Sequence, residues 1–106
     1  MKVMEKEKEI KKIVNQIVEN YKPEKIFLFG GFASGIIKKN SDVDLLVIKK
    51  TKDSFTSRLL DVSGAINSTL GTDILVYTPK EWDEALEEEN YFAKEINNKG
   101  MLLYAR

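Results

Sequence analysis

The chain has no cysteine and no histidine. Disulfides, thiolate and imidazole metal sites, cysteine nucleophiles and every histidine-based triad are therefore excluded. Any metal would have to be a hard cation held by oxygen, Mg²⁺ or Mn²⁺ before Zn²⁺. Proline occurs twice and glycine six times in 106 residues, with no linker-like stretch, repeat or low-complexity block. One domain spanning 1–106 with one modest core is expected, so function should rest on a single site. No apolar run approaches the roughly 18 residues of a membrane span, and Met1 to Lys12 is mostly Lys and Glu rather than a signal peptide. A cytoplasmic protein with no membrane partner is the expectation. Neither sign of charge is in excess: seventeen Lys plus Arg face seventeen Asp plus Glu. Without a net field to hold a phosphate backbone, nucleic acid is not an expected partner.

What is present reads as alternating elements of an α/β fold. Ile10, Ile13, Val14, Ile17, Val18 and Tyr21 recur at helical spacing, and Pro23 closes that helix. Lys25 to Gly30 is a short unbroken apolar run ending in paired glycines, the pattern of a strand buried on both faces, and Val43 to Ile48 repeats it. Phe55, Leu59, Val62, Ile66 and Leu70 predict a second helix, capped by Asp53 or Ser54 and ended at Gly71. Asp73 to Tyr77 predicts a third strand. Thr78-Pro79-Lys80-Glu81 combines a capping box with proline at the first helical position and starts a helix carrying Trp82, Ala85 and Leu86. A short helix over Tyr91 to Asn98 stops at Gly100, and Met101 to Tyr104 completes the set as a small edge strand. The expected architecture is one small mixed sheet flanked by helices, an α/β (α+β) protein.

The chemistry concentrates in Phe29-Gly30-Gly31-Phe32-Ala33-Ser34-Gly35 and in Ser41-Asp42-Val43-Asp44-Leu45. Strand side chains two apart share a face, so Asp42 and Asp44 project together while Val43 enters the packing. Asp73 would lie beside them if the second and third strands are neighbours. Carboxylates converging without counter-charge repel one another unless a divalent cation sits between them. Singly, each part has an ordinary explanation: Asp-x-Asp as a strand cap, Gly-Gly as a tight turn, Lys38 and Lys39 as a solvated tip.

Their order is informative. A strand ending in Gly-Gly, a loop with Ala-Ser-Gly, Ser-Asp-x-Asp-Leu on a second strand and an Asp heading a third resembles the DNA polymerase β superfamily. The likeness is specifically to its minimal nucleotidyltransferase (MNT, MntA-like) family. Gly30, Ala33, Gly35, Ser41, Asp42, Asp44 and Leu45 fit that family's Gly-Ser-x-Ala-x-Gly and Ser-Asp-x-Asp-Leu, and Lys99 to Tyr104 looks like its usual close. The resemblance implies a polymerase β-like fold and transfer of a nucleoside monophosphate, AMP from ATP, with loss of pyrophosphate. It implies that Gly30, Gly31, Ser34 and Ser41 bind the nucleotide, with backbone N–H groups approaching its phosphates. It also implies that Asp42 and Asp44 hold two Mg²⁺ ions, with Mn²⁺ as alternative, and that Asp73 joins the metal activating the acceptor hydroxyl. A helical HEPN-type protein would be the partner in a toxin–antitoxin pair, and a homodimer is a further expectation. Two positions depart from the pattern: Gly31 replaces a serine whose hydroxyl contacts phosphate, and Ser34 replaces a frequent Arg or Lys. Each lost charge-assisted bond is worth about 1.5 to 3 kcal/mol. The alternative reading is accordingly a weak or silent nucleotidyltransferase-fold antitoxin that acts by binding its partner.

Overall fold

A computed structural model describes residues 3–30, 43–68 and 70–106. Helix α1 (Val3–Tyr21) starts a turn and more before its apolar stripe, because the Lys- and Glu-rich lead consists of good helix formers. It ends where Lys22 turns left-handed at φ 54° and returns its N–H to the Ile17 carbonyl at 3.2 Å, with Pro23 next. Lys49 caps the same end, donating from Nζ to the Tyr21 carbonyl at 2.6 Å while lying 5.0 Å from the Tyr21 ring centre.

Strands β1 (Lys25–Phe29) and β2 (Val43–Ile48) pair antiparallel, and β3 (Thr72–Tyr77) joins β2 in parallel. Strand β4 (Met101–Ala105) pairs antiparallel with the other side of β1, so the sheet order is β3-β2-β1-β4. The sheet is mixed, as expected. Leu103 and Tyr104, adjacent in sequence, both pack toward α1, which a register shift opposite Ile26/Phe27 permits. Met101 and Leu102 are about half exposed on this edge.

Helices cover both faces. Ile10, Ile13 and Ile17 of α1 and Val62 of α2 (Phe55–Gly64) meet Ile26, Leu28, Val43, Leu45, Val47 and Val76. On the opposite face, Trp82 of α3 (Pro79–Glu87) and Ala93 and Ile96 of α4 (Tyr91–Lys99) meet Phe27, Leu46 and Ile48. This sandwiching is why β2 reads as a continuous apolar run rather than an alternating one.

Of the two caps expected for α2, Ser54 is the one used, accepting from the Ser57 N–H. One expected boundary differs: the helix stops at Gly64 instead of continuing to Leu70. Side chains of α1 capture the departing chain: Asn20 donates to the Ala65 carbonyl at 3.0 Å, Gln16 accepts from the Asn67 N–H at 2.9 Å, and Glu9 accepts from Ser68 Oγ at 3.0 Å. Ile66 and Leu70 still pack on the core, but from an irregular segment. The capping box at Thr78 and Glu81 is present in full.

Arg58, 7% exposed, pins α2 to the start of α3. Its guanidinium meets Glu81 at 2.7 and 3.3 Å, and its Nε donates to the Asp53 carbonyl at 2.9 Å. Partial burial works to raise the Glu81 carboxyl, but the Arg58 hydrogen bond, the Thr78 N–H and the Arg58 charge outweigh it and hold the group below its ordinary 4.5. The folded state therefore binds this proton more weakly than the unfolded chain. The resulting stabilisation is complete above pH 4.5 and disappears as pH falls through the lower folded value. Arg58→Met should cost about 2 kcal/mol at neutral pH, because hydrogen bonds to a charged group are lost while the half-exposed Glu81 stays solvated. Urea melts at pH 7 and pH 3 check this: the gap between wild type and variant should narrow in acid.

The Tyr21 hydroxyl is buried with no hydrogen-bond partner among the described residues. Burial first, then the charges of Asp61 and Asp53, push its pKa above the ordinary 10.0. An unsatisfied buried hydroxyl costs stability, so Tyr21→Phe should raise it by about 1 kcal/mol, read as a higher denaturation midpoint at unchanged slope.

Candidate active site

The site lies at the end of the sheet where β1 finishes and β2 and β3 begin. Antiparallel register sets Phe29 opposite Asp44, and parallel register sets Asp44 beside Asp73. These three residues share the sheet face covered by α3 and α4. Asp73 is held in this register from its N-terminal side: the Val43 N–H donates to the Gly71 carbonyl at 2.9 Å, and Thr72 Oγ1 turns back to the Leu70 carbonyl at 3.2 Å. Asp44 is half-buried and Asp73 exposed, so one carboxylate is embedded in the site and the other faces arriving molecules.

Gly30 follows the last residue of β1 with φ +78°, a conformation that L side chains rarely adopt. A Cβ placed there would collide with Asp44 Oδ2 and come within 3.2 Å of its Cγ. Main chain thus approaches the Asp44 carboxylate closely, and only glycine lets it. Gly31, Ser34, Ser41 and Asp42 lie outside the described residues, as do Lys38 and Lys39. Among the described residues no group of three carboxylates comes together; the pair is Asp44 and Asp73.

A cavity of about 390 Å³ opens beside Gly30, between the end of β1 and α4. Its walls include Phe29 and Phe92, which meet edge to face at 5.4 Å, and Ile96 below them. Gly100 closes the far side: a Cβ there would lie 2.5 Å from the Ile96 carbonyl and 3.2 Å from that of Leu28, so close backbone packing demands glycine.

The family model described as "Polymerase beta, Nucleotidyltransferase" matches residues 8–106. The chain belongs to the polymerase β nucleotidyltransferase family. It is 29% identical over 101 residues to "Putative protein adenylyltransferase MJ0141" of Methanocaldococcus jannaschii, covering 95% of this chain and 98% of the relative. A second protein of that organism, "Putative protein adenylyltransferase MJ0604", is 29% identical over 108 residues, covering 95% and 100%. A crystal structure titled as a putative nucleotidyltransferase from Sulfolobus solfataricus aligns with TM-score 0.67 over 93% of this chain and 79% of that one. At 24% identity it bears on the fold alone.

In this nucleotidyltransferase the sequence reading set Asp44 and Gly30, with Asp73 if β2 and β3 are neighbours, at one sheet end, and gave no part to Phe92, Glu95 and Lys99, which line the adjoining cavity. Those three sit on a helix whose pattern reads as an ordinary amphipathic face. Phe92 was the available signal, a large aromatic at the second position of the helix. No helix among the described residues is long and apolar enough to cross a membrane.

Proposed function

We propose that the protein transfers AMP from ATP to a hydroxyl on a partner protein, in a Mg²⁺-dependent reaction carried by Asp42, Asp44 and Asp73. The observation that carries this reading is the register pairing of Asp44 with Asp73 beside Gly30, in a nucleotidyltransferase whose relatives are named protein adenylyltransferases. The donor set fits a hard cation: two carboxylates on adjacent strands about 4.8 Å apart. Mg²⁺, or Mn²⁺ in its place, would neutralise the triphosphate and lower the pKa of the attacking hydroxyl. Asp44, embedded against the glycine main chain, would hold the cation that offsets the charge of the phosphates. Asp73, exposed, can reach a hydroxyl presented by another molecule and accept its proton. The acceptor oxygen then bonds to the α-phosphorus, the bond to the bridging oxygen breaks, and pyrophosphate leaves.

The resemblance to minimal nucleotidyltransferases suggests a helical HEPN-type partner in a toxin–antitoxin pair. The half-exposed Met101 and Leu102 on the β4 edge suit contact with a second chain, whether that partner or another copy. Gly31 and Ser34, which remove side-chain phosphate contacts, favour a second reading in which the protein masks its partner by binding alone. Incubation of the purified chain with α-labelled ATP, Mg²⁺ and the product of a neighbouring gene separates the two. Transfer predicts label on the partner and an intact mass raised by one or more AMP units. Stable complex formation with no label at any metal concentration would leave the binding-only reading.

A further inference from the structure

Two cations are buried among the described residues, Lys6 and Arg58, each 7% exposed. Arg58 donates to Glu81 and to the carbonyls of Asp53 and Val76. The Lys6 side chain has no ion pair and no hydrogen bond among the described residues. We infer that Lys6 and the first turn of α1 form a binding site for a phosphate group, on the opposite face of the sheet from Asp44 and Asp73. The site does not depend on the transfer proposed above.

A lysine is seldom buried unless an acid or a ligand meets it, because desolvating the ammonium is costly. The acid one turn along the helix, Glu9, already accepts from Ser68 Oγ at 3.0 Å. The Tyr21 hydroxyl is the one sealed side-chain polar atom without a partner among the described residues, so the unpartnered Lys6 amine is not sealed. What is buried is the stem, and the amine opens to solvent. Lys6 is also the fourth residue of α1, where N–H groups lack intrahelical acceptors and the helix dipole is positive. A cation is disfavoured at such a turn, and an anion seated there offsets both charges. Helical side chains lean toward their own N-terminus, so the amine reaches past the turn rather than back along the sheet.

Topology sets this turn at the end of the sheet. Helix α1 returns to β1 through residues 22–24, so the two run in opposite directions and the first turn lies where β1 finishes. A helix of 19 residues is about 28 Å long against about 17 Å for a five-residue strand, so the turn overhangs the sheet. Ser68, held by Glu9, lies four residues before β3 begins and marks the same end. Ile10 and Ile13 continue the Lys6 stripe and pack with Val43 and Leu45, whose side chains point away from the Asp44 face. A phosphate suits these donors better than a carboxylate. One of its oxygens meets the ammonium while others take main-chain N–H groups, and lysine, a point charge, has no fork to match a planar carboxylate. The phosphate is either free or the outer part of a nucleotide that extends past the sheet end.

The test titrates inorganic phosphate at constant ionic strength and follows amide resonances. In the wild type the Glu5 and Lys6 amides should shift and saturate. Lys6→Met, which keeps the apolar stem, should raise the dissociation constant roughly tenfold or more, and Lys6→Arg should restore most of the affinity. A second titration, with a non-hydrolysable ATP analogue and Mg²⁺, names the source. Competition between phosphate and analogue at these amides assigns the group to the nucleotide; simultaneous binding assigns it to free phosphate, and either result supports the site. No saturable shift in the first turn of α1 with either ligand, or equal affinity in wild type and Lys6→Met, overturns it. Phosphate binding that persists in a protein unable to bind the analogue would remove the proposed transfer and leave this site standing.

Discussion

Asp44→Asn is expected to lower nucleotide transfer by about a thousandfold or more while far-UV circular dichroism stays unchanged. The substitution keeps the side chain's shape at a half-buried position and removes one negative charge from a pair in register contact. A cation that stabilises developing charge is worth several kcal/mol, and about 4 kcal/mol is a factor of a thousand in rate. Asp73→Asn should separate binding from chemistry. Asp73 is exposed and, on the proposed reading, meets the acceptor, so its loss should depress kcat while KM for ATP moves little. Steady-state kinetics of the two variants check this, and equal effects on both parameters in Asp73→Asn would place that residue with the nucleotide instead.

Gly30→Ala should be nearly as damaging to transfer and should also cost about 2 kcal/mol of stability. A side chain at φ +78° costs about 1 to 2 kcal/mol by itself. The added methyl then competes for the space of Asp44 Oδ2, the far end of a side chain, which yields by rotation more readily than backbone does. The carboxylate would leave its position, and activity should fall further than stability does. A thermal melt paired with a transfer assay decides it. A variant that is destabilised yet fully active would show that transfer tolerates displacement of Asp44.

The parts of this fold legible in the sequence are those decided locally. The Thr78 to Glu81 cap carries its own hydrogen-bond partners, and β2, apolar on both faces, announces a strand between two layers of helices. The Asp44–Asp73 pairing was legible only conditionally, since it required β2 and β3 to be neighbours. What was not legible depends on distant residues. Ile66 and Leu70 keep helical spacing, yet Asn20, Gln16 and Glu9, some fifty residues away, draw that segment out of α2. Arg58 lies outside the apolar stripe of its helix, so periodicity alone does not mark it as buried. One signal was available: it is one of two arginines among fifteen lysines, and arginine is the cation chosen where a bidentate buried pair is needed. The cavity could not be seen because Phe29, Phe92 and Gly100 meet only after α4 docks.

That docking gives the site a clock. Strand β4 pairs with partners 73 to 80 residues earlier in the chain, at the edge of the sheet, and Met101 and Leu102 keep about half their surface in water. Such an element opens at lower free energy than the doubly covered β1 and β2, because little apolar burial opposes its release. Helix α4 runs into it through Gly100 with no intervening loop, so when β4 frays the Phe92 wall loosens with it while the carboxylates on β2 and β3 stay in place. Amide exchange should accordingly divide the molecule by function: fast and ligand-sensitive in α4 and β4, slow in the strands that carry Asp44 and Asp73. A molecule seated in the cavity beside Gly30 would then enter and leave at the rate this sheet edge breathes.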